Sequence, residues 1–397
     1  MNRKYVVLIP DGMADDSLEE LGGLTPLEAA ETPNMDALAA KGIVGLTRNV
    51  PPGMSPGSDV AIMSVLGYDP AIYHTGRAPL EAPSVGVELT DGQIAFRMNF
   101  VTIERGEMVD FAAGHITDPE AVVLVEALQS ALGSDEFKFY PGASYRHLMV
   151  TTDTDLMDIQ RTPPHDIIGQ PIENYLAQGP QARRLLDIED QAASILDSHE
   201  INLQRKAAGK NPANKIWLWG QGTRPQMPLF NDVFGISGGI ISAVPLLQSL
   251  AAYLGLKRIE VDGITGYLDT NYIGKGDAAV EALKTYDFVC VHVEAPDEAG
   301  HSGDWQAKIE AIERIDHDVL GTVIKGLRQY DEWRILVLAD HPTPVTIRTH
   351  TREAVPFVLC GDGIDPGGID KMGESHSRTS GVLIEEGRLL IKQLFTK

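Results

Sequence analysis

In the segment FVCVHVEAPDEAGHSGD, Asp297 and His301 stand four residues apart, just past an apolar run, Phe288–Val293, that reads as a buried strand. That spacing places both side chains on one face of a helical turn. A carboxylate and an imidazole converging there make half of a divalent-cation site. Two other apolar runs end in the same residue types: Tyr5–Pro10 leads into Asp11, and Arg334–Ala339 into Asp340 and His341, with His350 nine residues further on. Three carboxylates and three imidazoles are enough for two divalent ions. Each has a structural explanation if taken singly, such as a turn cap at Asp11. Recurrence at three strand ends is what points to metal chemistry.

Such a site needs a group to act with. In PPGMSPGSDVAIMSVLGYDP, Gly57 and Ser58 precede a helical run, Asp59–Leu66, so Ser58 is expected at a helix N-terminus. Unpaired backbone N–H groups there favour a phosphate or a serine alkoxide. Serine is also a preferred helix cap, and spacing leaves both readings open. The glycine-rich GQGTRP and GISGG lack the spacing of a phosphate-binding or dinucleotide loop and read as turns. His292, inside its strand, reads as a packed core histidine.

To converge, these residues need strands laid side by side with their carboxyl ends along one edge, where open α/β sheets bind ligands. Tyr5–Pro10, Phe288–Val293, Arg334–Ala339 and Val355–Cys360 read as short buried strands of a parallel sheet. Helical patterns over Asn34–Ala40, Asp277–Lys284 and Trp305–Leu327 alternate with them, which predicts an α/β fold with a doubly wound, mostly parallel sheet. Lys215–Trp219, Ile236–Leu256 and Ile259–Val261 are candidates to extend it.

The stretch Thr75–Pro171 differs: strands QIAFRMNFVTI, FKFYP and YRHLMVTT surround one helix, Pro119–Leu132. It predicts an inserted, smaller α+β domain over 75–175, with the metal-binding domain formed by 1–74 and 176–397. Asp153–Pro171 reads as a polar connector, and 172–211 as helical and solvated.

Composition narrows the partners. Against 33 Lys and Arg stand 56 Asp and Glu, a formal charge of −23, so there is no basic footprint for nucleic acid. A small anionic substrate fits, because bound cations invert the local field. Cys290 and Cys360 lie in apolar runs, which argues for no disulfide framework and a reducing compartment. No run reaches membrane-spanning length and no signal-peptide pattern is visible, so the cytoplasm is the expected location and no membrane partner is expected. No surface stripe marks an oligomer contact.

Longer motifs add a resemblance. DGMADDSLEELGGLTPLEAAETPNMDALAAKG, PPGMSPGSDVAIMSVLGYDP, YHTGRAPLEAPSVGV, GQGTRP, TGYLDTNYIGK, HVEAPDEAGHSGD and ADHPTPV with the later THT together resemble the archaeal-type cofactor-independent phosphoglycerate mutases of the alkaline phosphatase superfamily. The likeness spans nearly the full chain. It implies an alkaline phosphatase-like fold and interconversion of 3- and 2-phosphoglycerate, a small phosphorylated three-carbon acid, through transient phosphorylation of Ser58. It further implies two divalent ions, Mn2+ foremost with Co2+, Mg2+ or Zn2+ as alternatives. Asp297, His301 and His350 would bind one, and Asp11, Asp340, His341 and the Ser58 oxygen the other. The sequence departs from the pattern at Pro342, where a small polar residue is expected, which puts only the local turn in question.

A mutase must hold the dephosphorylated glycerate away from water, so the insert is expected to act as a lid and to grip a carboxylate. Candidates are Arg77, Arg97 and Arg146, whose forked donors suit that task, and His115. Lys275 is the candidate cation for the phosphoryl or leaving oxygen. Two other readings share these residues: a homoserine kinase-like phosphotransferase on the same fold, and a metal-binding protein in which Ser58 only caps a helix.

Overall fold

The computed structural model describes residues 3–396. The chain forms two compact units, one made of residues up to His74 and from Met227 onward, the other Thr75–Gln226.

The first unit is built on an eight-stranded sheet. Its strands, numbered along the chain, are β1 (Lys4–Pro10) and β2 (Ile43–Thr47), then, after β3 to β7 of the other unit, β8 (Gly238–Ile241), β9 (Lys257–Arg258), β10 (Phe288–Val293), β11 (Trp333–Leu338), β12 (Val355–Gly361) and β13 (Leu383–Ile384). Their order is β13-β2-β12-β11-β1-β10-β8-β9. Val6 and Leu8 join one core while Val7 and Ile9 are equally buried on the opposite face, the pattern of a strand covered on both sides. β1 pairs in parallel with both β10 and β11. Pro10 is level with Val293, so Asp11 and the helix carrying Asp297 emerge at the same edge.

The expected parallel strand Val355–Cys360 is antiparallel: β12 runs against β11, with Leu336 opposite Leu359. The connection from β11 carries no helix to return the chain to the opposite edge, so the next strand must run back. That connection holds Asp340, His341 and His350. Trp305–Leu327 is helical as expected, with a π segment, Ile315–Leu320, between two α segments.

The second unit holds β3 (Ile94–Glu104), β4 (Glu107–Asp110), β5 (Phe137–Tyr140), β6 (Arg146–Thr151) and β7 (Lys215–Thr223). β3 is flanked by β6 and β7, antiparallel to both. This corrects two expectations. Lys215–Trp219 belongs here and not to the parallel sheet, and the insert ends at Gln226, not at residue 175. Nor is 172–211 merely solvated. The helix Ala182–Ser198 buries Leu185, Glu189, Ala192 and Leu196, one narrow stripe in a polar sequence, on the core of this unit. Glu189 accepts a 2.8 Å bond from Arg161 of the connector, with both side chains fully buried.

Candidate active site

Asp297 lies in the first turn and His301 in the last turn of the helix Ala295–Ser302. His350 reaches them from the loop between β11 and β12. Asp297 Oδ2 is 3.2 Å from His301 Nε2, Asp297 Oδ1 is 3.4 Å from His350 Nε2, and the two Nε2 atoms are 2.9 Å apart. Each imidazole has its other nitrogen on a main-chain carbonyl, His301 Nδ1 on Arg348 and His350 Nδ1 on Pro56, both at 3.1 Å. Carbonyls only accept, so both Nδ1 atoms carry hydrogen and two Nε2 lone pairs face each other beside a carboxylate. That donor set fits a cation. In the metal-free protein a proton takes the role. The hydrogen bond to Asp297 pushes His301 up to about 9 against the effect of burial. Burial raises Asp297, but bonds from His301 and His350 outweigh it and hold the carboxyl well below its usual range.

The second group, Asp11, Asp340 and His341, is wholly buried. His341 Nε2 lies 3.1 Å from Asp340 Oδ2 and 3.7 Å from Asp11 Oδ1. Those two carboxylate oxygens are buried with no hydrogen-bond partner, a costly state that a divalent ion relieves. The other two oxygens are used: Asp340 Oδ1 accepts from the Gly12 N–H at 3.1 Å, and Asp11 Oδ2 lies 2.8 Å from His292 Nε2. Burial, then the charges of Asp340 and Asp297, push Asp11 well above the usual carboxylate range.

Ser58 is the first residue of the helix Ser58–Val65. Gly57, not Ser58, holds the cap position, and it makes no side-chain cap hydrogen bond. The hydroxyl is therefore not spent on capping: its Oγ lies 3.2 Å from His341 Nε2. His292 is a buried core histidine as expected, yet it also bridges Asp11 to the Ser242 hydroxyl, 3.1 Å from its Nδ1. Burial pulls its pKa down to about 3, which keeps it neutral. Lys275 is no surface lysine. Fully buried, it donates to the His292 carbonyl at 2.8 Å, and burial lowers its pKa to about 8.

In the second unit, Glu81 accepts from Arg97 at 2.9 Å and lies 3.5 Å from Arg77. Arg97 is buried, its guanidinium 4.4 Å above the Trp219 ring. A chain of ring contacts leads from Trp219 through His165 and Phe111 to Tyr145, which meets both the exposed His115 and Arg146. The four residues proposed from sequence thus share one patch. Burial lowers the pKa of Arg97 to about 10, with Arg77 and Arg146 adding to the fall and Glu81 opposing it.

A family model for 2,3-bisphosphoglycerate-independent phosphoglycerate mutase matches residues 39–202. A protein of that name from Methanosarcina acetivorans is 49% identical over 393 residues, 98% of this chain and 99% of that protein. The chain belongs to this mutase family. Among solved structures, a Pyrococcus horikoshii protein superposes with a TM-score of 0.84 at 30% identity, covering 99% of this chain and 96% of its own. A cofactor-independent phosphoglycerate mutase from Thermoplasma acidophilum gives 0.69 at 28%, covering 99% and 98%.

In this mutase-family chain the unusual Pro342 leaves the turn intact: its carbonyl accepts from the Thr351 N–H at 3.0 Å, and the Thr343 N–H bonds the Ala14 carbonyl at 3.2 Å. Sequence reasoning missed three residues. Lys308, fully buried, donates to Asp15 at 2.6 Å and to the Thr343 carbonyl at 2.9 Å, tying the loops after β1 and β11. Thr343 bonds both cation groups. His165 sits in a connector whose length was itself a signal, since long irregular loops in compact domains usually serve a site. Burial lowers its pKa.

Proposed function

We propose that the protein interconverts 3-phosphoglycerate and 2-phosphoglycerate without bisphosphoglycerate, by way of a phosphoserine at Ser58. One observation carries the chemistry: an uncapping serine hydroxyl at a helix start, 3.2 Å from His341, beside two unpartnered buried carboxylate oxygens. Family membership favours the mutase over the homoserine kinase reading.

Asp297, His301 and His350 would hold one divalent ion, and Asp11, Asp340, His341 and Ser58 Oγ a second, with Mn2+ the proposed metal. When bound, such ions lower the pKa of a hydroxyl and neutralise phosphoryl oxygens. Ser58 Oγ attacks phosphorus in line. The Ser58 hydroxyl gives up its proton as an O–P bond forms to it, the ester O–P bond breaks, and the released glycerate oxygen takes a proton. In the return step the other glycerate hydroxyl gives up its proton and bonds phosphorus, the Ser58 O–P bond breaks, and Ser58 regains a proton. The N–H groups at the start of Ser58–Val65 face the incoming charge. Lys275, whose pKa of about 8 leaves it largely protonated at neutral pH, is the proposed cation for the leaving oxygen. Arg77, Arg97, Arg146 and His115 are proposed for the glycerate carboxylate, and the cytoplasm as the place of action.

Purified protein with Mn2+ should convert 3- to 2-phosphoglycerate with no added bisphosphoglycerate. Inactivity with several divalent ions, together with phosphorylation of homoserine, would hand the site to the kinase reading. Trapping with substrate should leave phosphate on Ser58 by mass analysis; a phosphoenzyme that survives Ser58→Ala would defeat that assignment.

A further inference from the structure

All three imidazoles of the cation groups have their second nitrogen held, but not in the same way. His301 and His350 use main-chain carbonyls. His341 uses a side chain: its Nδ1 lies 3.3 Å from Thr343 Oγ1, and that hydroxyl donates to Oδ1 of Asp297, in the other group. An ionised carboxylate only accepts, so the hydroxyl proton lies toward Asp297 and the oxygen presents lone pairs to His341. Nδ1 of His341 therefore carries the hydrogen. Its Nε2, facing Asp340 and the Ser58 oxygen, is left as the lone-pair donor.

The fold fixes Thr343 in this place. Its side chain is fully buried, its N–H bonds the Ala14 carbonyl, and its carbonyl accepts from Lys308. Two glycines make the room. A Cβ on Gly12 (φ +60°) would lie 2.6 Å from both Thr343 Oγ1 and Asp297 Oδ1, and one on Gly300 would lie 2.4 Å from the Thr343 carbonyl oxygen. Main chain after β1 and in the helix after β10 thus packs closely against this one residue.

We propose that Thr343 is a positioning residue that couples the two cation groups: it sets the tautomer of His341 and ties that ring to the carboxylate of Asp297, so that an ion in one group prearranges the other. This rests on the two-ion reading above. Mn2+ is titrated into the metal-free protein and free ion is read by electron paramagnetic resonance. The unaltered protein should take up two ions with positive cooperativity. Thr343→Val, close in shape but without the hydroxyl, should lose the cooperativity and bind about 10–100-fold more weakly. Thr343→Ser should restore both to within a few-fold. Two ions bound by the valine variant with unaltered affinities, even in a less heat-stable protein, would overturn the proposal, as would failure of serine to rescue. Should the valine variant not fold, Thr343→Ala, which opens space, carries the same expectation against serine. An unaltered protein that binds no Mn2+ sinks the two-ion reading itself, a different result from unaltered binding in the valine variant.

Discussion

The two units gather charge with opposite signs and by opposite means. In the first, strand ends deliver acceptors in excess of donors: Asp11 and Asp340 are buried with an oxygen each unpartnered, and the Nε2 atoms of His301 and His350 meet at 2.9 Å beside Asp297. In the second, guanidiniums accumulate on aromatic rings, with Glu81 shared by Arg77 and Arg97. One arrangement asks for a cation, the other for an anion. On the proposed reading, metal in the first unit takes the phosphoryl group of a phosphorylated acid and the arginines of the second take its carboxylate. The division should therefore separate chemistry from recognition when each side is damaged in turn.

The largest effect belongs to Ser58→Ala. Loss of a nucleophile that acts with its partners as one unit costs on the order of 10⁴-fold or more in kcat. Turnover should vanish while Mn2+ uptake at Asp297, His301 and His350 persists. Residual turnover above a hundredth of normal would break the assignment. Removing Asp297 and His301 together should abolish turnover as well, but here bound Mn2+ should fall by half. Unchanged metal content would refute the group.

On the recognition side, Arg97→Lys keeps the charge but loses the fork and the stacking on Trp219. Charged hydrogen bonds are worth about 1.5–3 kcal/mol, so KM should rise about 10–100-fold with kcat altered far less. A fall in kcat at constant KM would mean that the patch serves chemistry, and the contrast between the units would dissolve.

The same contrast governs what could be read from sequence. Asp11, Asp297, Asp340 and their histidines were legible because each lies within a turn or two past the end of an apolar strand, so local sequence fixes both the element and the edge. His350 was legible as one more imidazole nearby, though the reversal of β12 that lets a long loop carry it back was not. The arginine patch is different. Its members were visible only as arginines in suggestive motifs, and what joins them comes from far along the chain: β7, which brings Trp219 and Gly220 beside Arg97, and the connector that supplies His165. Antiparallel pairing across more than a hundred residues leaves no local trace. Ser58 lay between these extremes. Its position was legible, but its freedom from capping depends on Gly57 taking the cap.

Protonation offers a finer test within the first unit. His301 has a folded-state pKa of about 9, above its ordinary 6.5, so in the metal-free protein it contributes stability that is complete below about 6.5 and lost as pH rises through about 9. An ion entering that group must displace this proton. Mn2+ affinity there should climb with pH up to about 9, by at most about tenfold per unit, with one proton released per ion. Calorimetry in buffers of different ionisation enthalpy counts that proton, and pH-independent affinity in this range would contradict the arrangement.

Glu374 shows a buried carboxyl meeting the same demand with a proton alone. It accepts from the Thr25 hydroxyl at 2.5 Å and the Asp15 N–H at 3.1 Å, yet burial outweighs these bonds and raises its pKa to about 7 from 4.5. A carboxyl raised on folding holds its proton more tightly in the native state. Its contribution is therefore fully present below about 4.5 and declines as pH rises to about 7. The slope cannot exceed about 1.4 kcal/mol per pH unit, or roughly 3 kcal/mol across the window. Glu374→Gln, neutral throughout, should flatten the pH dependence of thermal unfolding between pH 5 and 7 relative to the unaltered protein, with catalysis nearly unaffected. Parallel stability profiles for the two proteins would mean that Glu374 ionises normally, and that burying a carboxylate in this unit requires neither a metal nor a proton.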